Sequence, residues 1–81
     1  MYEEIEQQIV AIVAKHAQID ASSIRPDSTL DKLEVPSLSQ IEILFDIEET
    51  FDISIQENPE DRSLAGLTNL VASLLAEKQG S

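Results

Sequence analysis

The spacing of apolar residues constrains this chain most. In three separate segments they recur three and four positions apart, the period of a helix with one buried face. Ile5, Ile9, Ile12 and Val13 form the first such stripe, in a segment running from Tyr2 to about Gln18. Glu3, Glu4 and Glu6 fall in its first turn and Lys15 and His16 in its last, as the helix dipole favours. His16, the only histidine, is read as a partly exposed capping residue rather than a catalytic one. Leu67, Leu70, Val71, Leu74 and Leu75 give the stripe of the last segment, residues 67–78. Strands have little to work with. Only 2 Gly and 3 Pro are available for hairpin turns.

Between these segments lies a long connection, residues 19–36, rich in turn residues. Ile19, Ile24, Leu30 and Leu33 recur in it, so it is expected to lie tied to the core. "DASSI" can form a single helical turn capped by Asp20. Farther on, Pro59 suits the first position of a short helix over residues 59–64, with Asn58 as its cap. The expected fold is all-α: a small bundle of three main helices (2–18, 37–51, 67–78) plus one short helix (59–64). A long loop joins the first two, and residues 1–81 make one domain.

The segment 37–51, "SLSQIEILFDIEETF", carries more apolar side chains than one buried face needs. At roughly 100° per residue, Ile43, Leu44, Ile47 and Phe51 fall on one side and form the core stripe. Leu38, Ile41 and Phe45 fall on the other. Glu48 borders this second stripe on one side, Glu42 and Glu49 on the other, and Ser37 sits at its N-terminal tip. Burying the stripe against the loop would carry these acids toward low dielectric with no base at hand. An exposed contact surface avoids that cost, with apolar anchors for affinity and an acidic rim to steer a basic partner.

Charge narrows the function classes. Sixteen acids against five Lys and Arg give a net charge of −11. Nine of the acids lie between Lys32 and Arg62, where there is no base. Nucleic-acid binding requires the opposite sign and is excluded. Self-repulsion on this scale should loosen the domain at low salt. With no Cys, neither disulfides nor a thiolate metal site can staple the fold. No apolar run approaches the roughly 20 residues of a membrane span. The acidic start "MYEEIEQQ" is unlike a signal or transit peptide, so a soluble, cytoplasmic domain is expected. No window has the alternating oxygen ligands and central Gly of a Ca²⁺ loop, and no base accompanies any nucleophile. Neither catalytic nor metal residues are assigned.

"LEVPSLSQIEILFDIEETFDISI", residues 33–55, resembles the acyl carrier proteins, whose LGxDSL-type motif opens the second helix. The match runs through "SL", "IEI", "IEETF" and "DISI". "SSIRPDSTLDKL" resembles the family's loop, and "DRSLAGLTNLVASLL" its third and last helices. The resemblance implies a non-enzymatic carrier with 4'-phosphopantetheine attached as a phosphodiester to Ser37 and acyl groups held as thioesters. It implies that Leu38, Ile41, Glu42, Phe45, Glu48 and Glu49 face partners, and that the bundle interior shelters the acyl chain. Those partners would be a phosphopantetheinyl transferase and acyl-transferring or condensing enzymes with basic patches. A specialised fatty acid, lipid or polyketide pathway and a monomeric carrier are expected.

Two departures stand out. Pro36 replaces the family's Asp, which helps the transferase position serine and metal, and Glu34-Val35-Pro36 replaces the small "GxD" lead-in. Read from the residues alone, Ser37 suits a helix N-cap, with Gln40 completing a Ser-x-x-Gln capping box. The alternative function is therefore an unmodified interaction module that binds a basic partner through the second helix.

Overall fold

A computed structural model describes residues 2–55, 59 and 61–80. Three α-helices make the frame: α1 (Tyr2–Ala17), α2 (Ser37–Phe51) and α3 (Leu64–Gly80). A 3₁₀ turn, η1 (Ala21–Ser23), lies in the long loop, in the "DASSI" segment. The fold is a small all-α bundle in which α1 packs against both α2 and α3. Its core is aliphatic: Ile9, Val13, Leu30, Ile43, Ile47 and Leu64 are wholly enclosed.

Both α1 and α2 end without glycine. Gln18 and Asp52 take the left-handed conformation, with φ of 59° and 54°. The following N–H then reaches back to a helix carbonyl, Ile19 to Ala14 at 3.2 Å and Ile53 to Glu48 at 3.1 Å. This is the Schellman arrangement, which satisfies carbonyls that would otherwise be orphaned.

The short helix expected over 59–64 is corrected. Pro59 and residues 61–63 are non-helical, Leu64 already belongs to α3, and Asn58 and Glu60 lie outside the described residues. The physical reason is the start of α3, three residues earlier than its apolar stripe suggests. Ser63 Oγ accepts the Gly66 N–H at 3.0 Å, a serine N-cap. The Leu64 and Ala65 N–H groups go to the carbonyls of Ser28 and Pro26, both at 2.9 Å. The long loop thus satisfies the first donors of α3, a task side-chain caps and water usually share. Thr29 and Ser63 form an antiparallel bridge, and the Leu30 N–H bonds the Arg62 carbonyl.

The loop is pinned as expected, with Ile24 and Leu30 buried and Ile19 and Leu33 packed beside them. Val35 joins the core as well. In α3 the stripe is narrower than its spacing implies. Leu67 and Val71 are enclosed, whereas Leu75 is half-buried. Thr68 fills the gap, its hydroxyl donating to the Leu64 carbonyl at 2.7 Å. Phe51 is half-buried at the edge of the core rather than at its centre.

Candidate functional site

The outer face of α2 is the candidate site. Leu38, Ile41 and Phe45 stay exposed at 71%, 48% and 61%, while Ile43 and Ile47 on the opposite side of the same helix are fully enclosed. Leu38 is not covered by the loop. One helix therefore carries two apolar stripes with different fates, and the charge around the outer one explains why. Glu42 and Glu49 flank it and are exposed. Glu48, on the other border, is half-buried, and its Oε2 accepts the Ile55 N–H at 2.8 Å. That carboxylate therefore also fixes the segment after α2, a role its spacing alone does not reveal.

Ser37 lies exposed at the N-terminal tip of the stripe, in the first turn of α2. The capping box does not form, and this corrects the N-cap reading of Ser37. Pro36 occupies the N-cap position with φ −61° and ψ 154°, and its ring offers no side-chain cap. Its carbonyl accepts the Gln40 N–H at 2.9 Å, the first bond of the helix. Gln40 is buried and turned away from the Ser37 backbone. Its Nε2 donates to the Val35 carbonyl at 2.9 Å and to Asp31 Oδ1 at 3.1 Å, and its Oε1 accepts from Arg62 Nη1.

The result is an open helix start. The first N–H groups of α2 have no intrahelical partner, and among the described residues no side chain caps them. No acid sits in that first turn. Exposed amides at the positive end of a helix suit an anionic phosphodiester. A phosphopantetheine phosphate on Ser37 therefore fits here without displacing a protein contact.

His16 is half-buried but does more than finish α1. Its Nε2 lies 3.2 Å from Asp46 Oδ2, joining the end of α1 to the middle of α2. At the other end of α2, Lys78 donates to the carbonyl and to Oδ2 of Asp52 at 2.8 and 2.7 Å. The Lys78 hydrogen bond, and then its charge, hold the Asp52 carboxyl below its ordinary value. A shallow groove there is lined by Ile53, Ser54, Leu74 and Glu77 along with this pair. It lies roughly 20 Å from Ser37, the length of α2. Among the described residues no group of acids and histidines is arranged to hold a metal ion, and no helix is long and apolar enough to cross a membrane.

Comparison with known proteins agrees with this geometry. The family described as "Phosphopantetheine attachment site" matches residues 7–71. An acyl carrier protein of Picosynechococcus sp. is 29% identical over 82 residues, covering 100% of this chain and 99% of that one. An acyl carrier protein of Streptococcus pneumoniae is 30% identical over 71 residues, 88% of this chain and 90% of the relative. No solved structure matches. A family match over most of the length, on a bundle whose second helix opens at an uncapped serine, places the chain in the acyl carrier protein family, as a carrier with 4'-phosphopantetheine as its cofactor and not an enzyme.

Proposed function

We propose that Ser37 is the attachment residue and that the outer stripe of α2 is the surface by which partner enzymes handle the loaded carrier. The observation that carries this reading is the exposure of Leu38, Ile41 and Phe45 on the helix that begins at Ser37. Phosphopantetheine supplies the thiol that holds an acyl group as a thioester. The chain's own residues then have three tasks. Ser37 offers its hydroxyl at an open helix start, where the amides of the first turn face the phosphodiester. Leu38, Ile41 and Phe45 supply apolar anchors for a partner. Glu42, Glu48 and Glu49 give the rim a negative field that draws in a basic patch and sets its orientation. Of these, Glu48 contributes its field while its carboxylate stays bound to Ile55.

The partners in this reading are a phosphopantetheinyl transferase and acyl-transferring or condensing enzymes with basic patches. The carrier serves a specialised fatty acid, lipid or polyketide pathway and acts as a cytoplasmic monomer. Replacement of the family's Asp by Pro36 points to a dedicated transferase, because a partner that relies on that carboxylate to organise its metal finds none here.

The test is the intact mass of the chain after incubation with coenzyme A and a transferase, one of broad specificity and one from the source organism. A gain of one phosphopantetheine that disappears in Ser37→Ala supports the reading. Gain with the native transferase alone marks a dedicated pathway. No gain with either overturns Ser37 as the attachment residue and leaves the stripe as an unmodified docking surface.

A further inference from the structure

The segment that delivers Ser37 to α2 is locked in place by hydrogen bonds on both sides of Val35. Glu34 has φ of 60°, left-handed backbone that an L side chain adopts at a cost. It closes its turn as Gln18 and Asp52 close α1 and α2, with the next N–H reaching back five residues. On one side of Val35 its N–H bonds the Leu30 carbonyl at 3.0 Å. On the other, its carbonyl accepts from Gln40 Nε2 at 2.9 Å. Val35 is itself buried, so the peptides on both sides of it are fixed immediately before Pro36 and Ser37.

Gln40 is the centre of the lock. It is 96% buried, its exposure being only 4%, and both donors and the acceptor of its amide are used. A buried amide satisfied this fully has one orientation, since turning it over would set donors against donors. Arg62 makes that orientation unique, because a guanidinium can only donate and so requires the carbonyl side of the amide. Arg62 is also the sole base between Lys32 and Lys78, in a stretch crowded with acids. It is half-buried and donates inward to a neutral amide, and its backbone carbonyl holds Leu30, the residue that bonds Val35.

Building on the reading of Ser37 as the attachment residue, we infer that Gln40, oriented by Arg62, is a positioning residue for its modification. It acts through Val35 and Pro36 to hold the Ser37 hydroxyl where a transferase can use it. Elsewhere in the family an Asp beside the serine helps the transferase place it. Pro36 cannot do so, and a rigid lead-in set from beneath by Gln40 and Arg62 takes over the placement. A reacting hydroxyl displaced by about 1 Å loses up to about 100-fold in rate, so a lock of this kind acts on turnover more than on docking.

The experiment is the initial rate of phosphopantetheine transfer from coenzyme A by the native transferase, followed by intact mass at several carrier concentrations so that kcat and KM separate. It compares wild type with Gln40→Leu, Arg62→Leu and Arg62→Lys, at a temperature where far-UV circular dichroism shows each variant folded. Gln40→Leu should lower kcat between about 10- and 100-fold with a smaller change in KM. Arg62→Leu should move the same way but less, since Gln40 keeps two bonds, and Arg62→Lys should recover part of the loss by supplying one donor. Wild-type kcat in both Gln40→Leu and Arg62→Leu overturns the inference alone, as does a loss that merely follows the unfolded fraction. A wild-type chain that takes up no phosphopantetheine overturns the reading of Ser37, and the inference with it.

Discussion

Phe45 and Ile47 lie two residues apart on α2, and the structure assigns them opposite consequences. Phe45 keeps 61% of its surface exposed, whereas Ile47 keeps none. Fully burying a large apolar side chain is worth about 1.5–3 kcal/mol. Two fifths of that, about 1 kcal/mol, is what Phe45→Ala can lose. Alanine returns up to about 0.5 kcal/mol through its better helix propensity. The net cost is about 0.5 kcal/mol. Ile47→Ala instead opens a hole in a closed core, at about 2–5 kcal/mol, against a total stability that for a domain this small is on the order of 5 kcal/mol. At about 4–8 °C per kcal/mol, Phe45→Ala should melt roughly 2–4 °C below wild type. Ile47→Ala should melt at least about 8 °C lower or be unfolded at room temperature. Thermal melts followed by far-UV circular dichroism read both. In the transferase assay Phe45→Ala should raise KM, since a truncated anchor commonly costs more than about 1 kcal/mol of binding. If Phe45→Ala melts as low as Ile47→Ala, the outer stripe belongs to the core and the docking reading has lost its foundation.

Glu34→Gly should be more stable than Glu34→Ala by about 1 kcal/mol, because both remove the charge but only glycine accepts a φ of 60° freely; equal urea midpoints for the two would show that no strain resides there. Gly66→Ala, which in an open helix would gain about 0.5–1 kcal/mol, should instead destabilise. The new Cβ would lie 2.5 Å from Asp61 Cγ and 2.7 Å from the Asp61 carbonyl oxygen, and overpacking of this kind costs about 1–3 kcal/mol. A higher melting temperature for the alanine variant would contradict this. Asp61 is held below its ordinary carboxyl value of 3.8 by hydrogen bonds from the Ser63 side chain and then its backbone N–H. With the folded value depressed, the stability it lends is complete above the unfolded value and disappears as pH falls through the folded one. Asp61→Asn should therefore melt below wild type at about pH 7 and together with it near about pH 2; a constant gap across that range would mean the ionised carboxylate contributes nothing.

The parts of the fold legible in the sequence are those governed by periodicity. Three amphipathic segments, the pinned loop and the two stripes of α2 all follow from side-chain spacing and the cost of burying acids. What the spacing could not show lies in polar contacts between residues far apart in the chain. Ser63 as the cap of α3 was hidden because Pro59 offered a more conventional helix start. The signal that could have found it is Ser63 itself, a favoured N-cap residue standing directly before the apolar Leu64. Gln40 looked like the reciprocal half of a capping box, a local role. Its actual partners, Asp31, Val35 and Arg62, stand 9, 5 and 22 residues away. His16 had no visible reason to meet Asp46, 30 residues on. Helix ends without glycine also resist reading, since Gln18 and Asp52 take left-handed conformations that their residue types only weakly announce.

The position of Arg62 connects the fold to the proposed function. A lone base in so acidic a stretch reduces self-repulsion most directly by pairing with a carboxylate. It turns inward to Gln40 instead. Among the described residues Glu42 and Glu49 have no cationic partner, and both remain exposed beside Phe45. The folded chain thus retains a negative field at the stripe, at some cost in stability. A basic partner would remove that repulsion as it docks, so part of its binding energy is already stored in the unpartnered carrier. The same choice places the Arg62 guanidinium against Gln40, beneath the lead-in to Ser37. One arginine thereby serves both proposed features, leaving the docking face acidic and holding the attachment serine in place.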